Sequence, residues 1–150
     1  MPGWKLDQSW VHSVNVNVVN FFNLGIWSEV LVLINQRLTA TAIRTSIRAS
    51  INNGSSMLDQ SGDYKLVGAT GVYTDRVELS LTTSGNTNYS SVVWFPCWKS
   101  GLVKPVIIKG GPESNAEFII NNANPLNMLA IYNDSGNNFT GGAIHVLGKP

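Results

Sequence analysis

The sequence predicts an all-β fold, an antiparallel β-sandwich of jelly-roll type with about 8–10 strands. Three observations lead there. Apolar and polar residues alternate with period two through much of the chain, as strands with one wet face require. Residues that tolerate positive φ punctuate the alternation at short intervals: Asn53-Gly54, Gly62-Asp63, Gly85-Asn86, Gly110-Gly111-Pro112 and Ser135-Gly136. No stretch of helical length carries a helical period, and only residues 55–61 have room for a short helical turn.

Taken in order, "VNVNVV" (14–19) sets Val14, Val16 and Val18 against Asn15 and Asn17. "SEVLVLINQRLT" (28–39) is apolar and β-branched. Residues 42–51 alternate Ile43, Thr45, Ile47, Ala49 and Ile51 with Arg44, Ser46, Arg48 and Ser50, and run into Asn52-Asn53-Gly54. "YKLVGA" (64–69) forms a short strand. In "RVELSLTT" (76–83), Val77, Leu79 and Leu81 oppose Glu78, Ser80 and Thr82. "NYSSVVWFPCW" (88–98) is the most apolar strand, and "KPVIIKG" (104–110), "AEFIIN" (116–121), "NMLAIYND" (127–134) and "AIHVLG" (143–148) complete the set. With no internal repeat and no linker, the chain reads as one domain, residues 1–20 allowing an N-terminal attachment segment. A two-sheet sandwich lets every strand bury one face and wet the other.

Composition narrows the function. Charged residues are only 13% and the net charge is +1, about half the usual charged share and no footprint for nucleic acid. The lone cysteine, Cys97, excludes an intrachain disulfide and reads as a small buried hydrophobe. "MPGWKLDQSW" has no apolar core of a signal peptide, and no apolar run reaches bilayer-spanning length, so no membrane insertion is expected.

Catalysis has little to stand on. His12 and His145 are the only histidines, and no catalytic motif or phosphate-cradling loop occurs. His145, between Ile144 and Val146, points outward from an ordinary strand. A glycan depolymerase would need two facing carboxylates, and nothing pairs Glu113 with Glu117. Asp59, Ser61 and Asp63 have the spacing that opens a calcium loop, but Thr70 stands where the bidentate glutamate belongs. A local turn held by carboxylate acceptors fits better. No metal and no cofactor are expected.

Binding chemistry is better represented. Trp94 and Trp98 share strand parity; an outward Trp pair can stack on the C–H faces of sugar rings, while the large area a Trp buries favours packing in the core or at a subunit interface. Pro96 places them near a strand end or edge. Tyr89, Asn86, Asn88, Asn137 and Asn138 are further candidate glycan contacts, since amides both donate to and accept from hydroxyls. The same asparagines suit turns for conformational reasons alone. Arg44 and Arg48 stand about 13 Å apart along one strand face, too far to clamp one phosphate; they suit two separate subunit contacts or a solvated face with stems over apolar neighbours. Trp4 and Trp10 are candidate subunit contacts, and Trp27 fits packing or a neighbouring chain.

The order of motifs also resembles a known family. "NLGIWSEVLVLI" (23–34) is followed by "SIRASINNGSSML" (46–58), "SGDYKLV" (61–67) and a closing "LAIYNDSGNNFTGGAIHVLGK" (129–149). From about residue 20 onward this is similar to a β-sandwich module of tailed-bacteriophage structural proteins. The matching positions are Ser50, Asn53, Gly54, Ser61, Gly62, Asp63 and Tyr64, then Phe139, Thr140, Gly141, Gly142 and Gly148. The resemblance implies a non-enzymatic virion component of a tail fibre, tail tip or head fibre, assembled in the bacterial host cytoplasm. Its partners would be other virion proteins and copies of itself, a trimer being favoured, with host surface polysaccharide as a ligand. A chain this short, without a fibrous shaft, reads as a free-standing virion protein and raises capping or capsid decoration. The alternative from another class is a soluble carbohydrate-binding module.

Overall fold

The computed structural model describes residues 3–38, 43–68, 73–82, 87–110, 116–133 and 136–150. Twelve strands are described: β1 (Lys5–Val11), β2 (Val18–Phe21), β3 (Glu29–Leu38), β4 (Ile43–Ser50), β5 (Tyr64–Leu66), β6 (Tyr73–Thr74), β7 (Val77–Thr82), β8 (Thr87–Phe95), β9 (Lys104–Lys109), β10 (Glu117–Ile120), β11 (Met128–Asn133) and β12 (Phe139–Lys149). They form an eight-stranded sheet in the order β1-β12-β3-β8-β9-β10-β5-β6 and a four-stranded sheet in the order β2-β11-β4-β7. The fold is an all-β antiparallel sandwich.

Alternation explains the layering. From the large sheet, Val30, Val32 and Ile34 of β3, Val93 and Phe95 of β8, and Ile144 and Val146 of β12 point inward. They meet Phe21, Ile47, Ala49, Leu129 and Ile131 of the small sheet in one buried cluster. Each large apolar side chain buried this way contributes about 1.5–3 kcal/mol of transfer free energy.

Two strands lie outside the sequence reading. The two-residue β6 is too short to show a period, and β1 reads KLDQSWV, whose polarity does not alternate cleanly. Its register against β12 slips between Leu6 and Gln8, so the pattern along it changes phase at the bulge. Residues 5–11 are therefore an edge strand of the large sheet. Residues 55–61 hold no helical turn; Met57 bridges to Ser50 there, and the helical turn described is a 3-10 turn at Leu24–Ile26.

The motif positions have structural work. Tyr64 reaches from β5 across the core, and its hydroxyl oxygen accepts the Ala49 N–H of β4 at 2.8 Å. The ladder between β4 and β7 runs only to the Ile47–Val77 pair, so Tyr64 satisfies a backbone donor that lies beyond it. Burial pushes the Tyr64 phenol well above its ordinary range. Asp63 Oδ2 accepts the Gln60 N–H at 2.8 Å, which makes the 59–63 stretch a carboxylate-held turn. At Gly142, φ is +100° and an added Cβ would lie 2.1 Å from the Asn35 carbonyl oxygen. At Gly148 the ring of Trp27 occupies the side-chain space, 2.0 Å from where a Cβ would stand.

Lys104 is fully buried at the start of β9. Its ammonium donates to the Leu102 and Asn122 carbonyls at 3.1 and 2.7 Å. Burial lowers its pKa below the ordinary lysine value.

Candidate functional site

The outer face of the large sheet carries the candidate site. On β8 the outward positions are Asn88, Ser90, Val92 and Trp94, all exposed because the chain alternates there. Trp94 keeps 37% of its surface exposed and sits between Leu31 of β3 and Ile107 of β9. Its indole does not swing freely. Nε1 donates to Glu29 Oε2 at 3.1 Å, and Lys149 Nζ donates to Glu29 Oε1 at 2.6 Å. Glu29 and Lys149 face each other across the β3–β12 ladder, so antiparallel register alone brings this pair together. The carboxylate thereby spends both oxygens on fixing a tryptophan and a lysine.

Beside this platform runs a groove of about 600 Å³, lined by Trp4, Glu29, Leu31, Trp94, Lys109 and Glu117 among others. A neighbouring groove of about 430 Å³ is lined by Leu33, Asn35, Ser90, Lys109, Gly110 and His145 among others, and both are walled by Val92 and Lys109. His145 Nδ1 and Ser9 Oγ lie 2.8 Å apart in a hydrogen bond, which orients the ring on the sheet face. The arrangement offers an aromatic face with amide, hydroxyl, imidazole, ammonium and carboxylate groups around it. Sugars present the complementary set: C–H faces that stack, and hydroxyls that both donate and accept.

On the outer face of the small sheet, the charged side chains among the described residues pair with one another. Arg48 Nη2 pairs with Asp75 Oδ2, and Arg48 Nε donates to the Asp75 carbonyl at 3.1 Å. The guanidinium lies 5.0 Å from the Tyr132 ring centroid. Arg76 bridges Asp75 and Glu78 at 3.4 and 3.6 Å. Burial raises the Tyr132 phenol above its ordinary value, opposed by Arg48 and Arg76. Arg48 thus finds its carboxylate within its own chain.

The asparagine-rich turns at one end are also occupied with each other. Asn23 and Asn53 both take left-handed backbone, φ 59° and 57°. Asn53 Oδ1 accepts the Asn23 N–H at 2.8 Å, Asn53 Nδ2 donates to Asn23 Oδ1 at 2.7 Å, and the Asn53 N–H donates to Asn127 Oδ1 at 2.7 Å.

The structure separates the glycan candidates read from sequence. Trp94 lies in the groove, and Asn88 lies on the same face, about 20 Å along β8. Trp98 is a correction: β8 ends at Phe95, and the chain turns at Pro96-Cys97. That break in parity puts the Trp98 ring in the core, 0% exposed, edge-on to Phe95 at 5.3 Å. The same turn exposes Cys97, where a buried thiol was expected. Asn137 and Asn138 are exposed before β12, at the opposite end of that strand from Lys149. Asn86 lies outside the described residues, as does Glu113. Tyr89 pairs with Gln36 and Arg44 with Leu81 by backbone; their side chains lie outside the described residues.

Of the expected subunit contacts, Trp10 packs within its own chain, 6.0 Å from Phe139. Trp4 lines the Trp94 groove. Sequence reading missed Glu29, Lys149, Lys109, Asn35 and the placement of His145 in this site. Their only shared signal is an outward position on strands adjacent in space.

No family model and no curated protein matches the chain. Among solved structures, a congerin II double mutant is similar with a TM-score of 0.49 and 11% identity, covering 87% of this chain and 99% of that one. A galectin from Caenorhabditis elegans is similar with a TM-score of 0.48 and 12% identity, covering 92% and 94%. At these identities and scores neither likeness bears on what this chain binds.

Proposed function

We propose that this chain is a non-enzymatic glycan-binding β-sandwich whose contact surface is the outer face of the large sheet. The observation that carries the reading is Trp94: an exposed indole fixed by Glu29 and Lys149 at the edge of a groove of about 600 Å³. Preorganisation of this kind lowers the ordering cost of binding. Glu29 is committed to holding the platform, which suits binding rather than hydrolysis. The sequence resemblance supplies the setting we propose: an adhesin-like component of a tailed-phage appendage, meeting host surface polysaccharide. The test is an array of bacterial surface polysaccharides probed with the wild-type chain and with Trp94→Ala. Selective binding by the first and a loss of more than about tenfold in the second is expected. Equal binding by both overturns the reading.

A second reading, a purely structural virion protein such as a cap or capsid decoration, is favoured by one observation. Leu6, Val11, Val14, Val18 and Phe22 are all exposed apolar residues of the 6–22 region. That region forms the two edge strands β1 and β2 and the link between them, and exposed apolar surface of this kind suits contact with neighbours. Immunogold labelling of particles tests this reading: label over the head supports it, label at a tail tip or on fibres fits the adhesin reading, and unlabelled particles beside abundant free protein contradict both virion settings.

A further inference from the structure

We infer that the ligand is a linear oligosaccharide lying along β8, and that Asn35, Ser90 and His145 form a second sugar subsite beyond the Trp94 platform. The inference rests on the glycan-binding reading above and deepens it.

The two grooves are one surface, because Val92 and Lys109 wall both. Trp94, Val92 and Ser90 are successive outward positions of one strand, so Ser90 lies about 13 Å from Trp94. That is more than one sugar ring covers. The registers place the intervening floor: Leu31 beside Trp94, Leu33 beside Val92, and Asn35 beside Ser90. On the next strand His145 lies opposite Leu33.

The path therefore runs from an aromatic end, over an apolar floor of Leu33 and Val92, to a polar end. Asn35 and Ser90 are exposed and offer an amide and a hydroxyl, which pair with sugar hydroxyls as donor and acceptor. Ser9 holds His145 through Nδ1, so Nε2 is the ring nitrogen that can reach a ligand. A monosaccharide stacked on Trp94 would leave this polar end unused.

The test measures affinity by calorimetry for oligosaccharides of two, four and six sugars, cut from the polysaccharide that scores highest on the array. In the wild type, affinity should rise about tenfold from the shortest to the longest, the worth of one or two added hydrogen bonds. In Asn35→Ala/Ser90→Ala the longer oligosaccharides should bind no better than the shortest. Ser90→Tyr, which blocks the path by bulk, should give the same flat series, and thermal unfolding checks that each variant is folded. An undiminished length gain in both variants, with Trp94→Ala still abolishing binding, overturns the second subsite and leaves the platform standing. Unchanged binding in Trp94→Ala, or no binding to any oligosaccharide, overturns both.

Discussion

The two outer faces of the sandwich spend similar side chains in opposite ways. On the small sheet, Arg48 and Arg76 pair with Asp75 and Glu78, and the Arg48 guanidinium lies over the Tyr132 ring. On the large sheet, a carboxylate and an ammonium, Glu29 and Lys149, are spent on holding Trp94 outward beside an open groove. The ion pairs of the small sheet close on their neighbours. The ion pair of the large sheet props up an indole that stays open to solvent. The types of residue are nearly the same; what differs is whether a large apolar ring ends up beneath the charges or beside them.

Substitutions can break or sharpen this contrast. Trp98→Ala sets the largest scale. It empties a fully buried site packed edge-on against Phe95, and should cost about 3–5 kcal/mol, read as a shift of the urea midpoint. Trp94→Ala, four residues earlier, should cost less, about 1–2 kcal/mol, because the indole keeps 37% of its surface exposed. Equal losses for the two tryptophans would erase the distinction between core and platform.

Next comes Gly148→Ala. The new methyl would stand where the Trp27 ring lies, and displacing that ring should cost about 1–3 kcal/mol. Because Gly148 sits beside Lys149, this variant should also weaken glycan binding, whereas a change on the small sheet should not.

Tyr64→Phe should cost about 1–3 kcal/mol, since it strands the buried Ala49 N–H. It also carries a pH signature. The Tyr64 phenol is raised in the folded chain above its ordinary 10.0, so the unfolded chain ionises first and binds fewer protons in that range. Stability must then fall as pH rises above about 10, and Tyr132, raised in the same direction, adds to the fall. Urea midpoints between neutral pH and about pH 11 should drop in the wild type and drop less in Tyr64→Phe.

Arg48→Ala should have the smallest effect, about 1 kcal/mol or less. Its pair with Asp75 is partly exposed, the two side chains being 26% and 32% accessible, and such pairs with a ring contact contribute little. Glycan affinity should be unchanged. A large loss of affinity here would mean that the closed face takes part in recognition.

Much of the architecture was legible in sequence because period two is a local signal. β4 and β7 alternate within a few residues, β3 and β8 are apolar runs of strand length, and Asn53-Gly54 marks its turn by conformational need. The strand β1 escaped because a bulge changes its phase, and Trp98 was misplaced because Pro96-Cys97 ends the strand and voids the parity count. The site escaped for a different reason. Glu29 and Lys149 meet 120 residues apart in the chain, and only the position of β12 beside β3 joins them. Trp94 could be named as one candidate from its own strand, but what fixes it could not.

On the glycan-binding reading, recognition falls to the open face of the large sheet. The most direct test is a two-dimensional ¹⁵N–¹H spectrum of the labelled chain titrated with the highest-scoring oligosaccharide of the array. The Trp94 indole N–H and the amides around Glu29, Leu31, Asn35, Ser90, Val92 and His145 should shift, while those around Arg48, Asp75 and Tyr132 should stay still. Shifts confined to the Arg48 face, or to the Asn23, Asn53 and Asn127 turns, with the Trp94 indole unmoved, would contradict it.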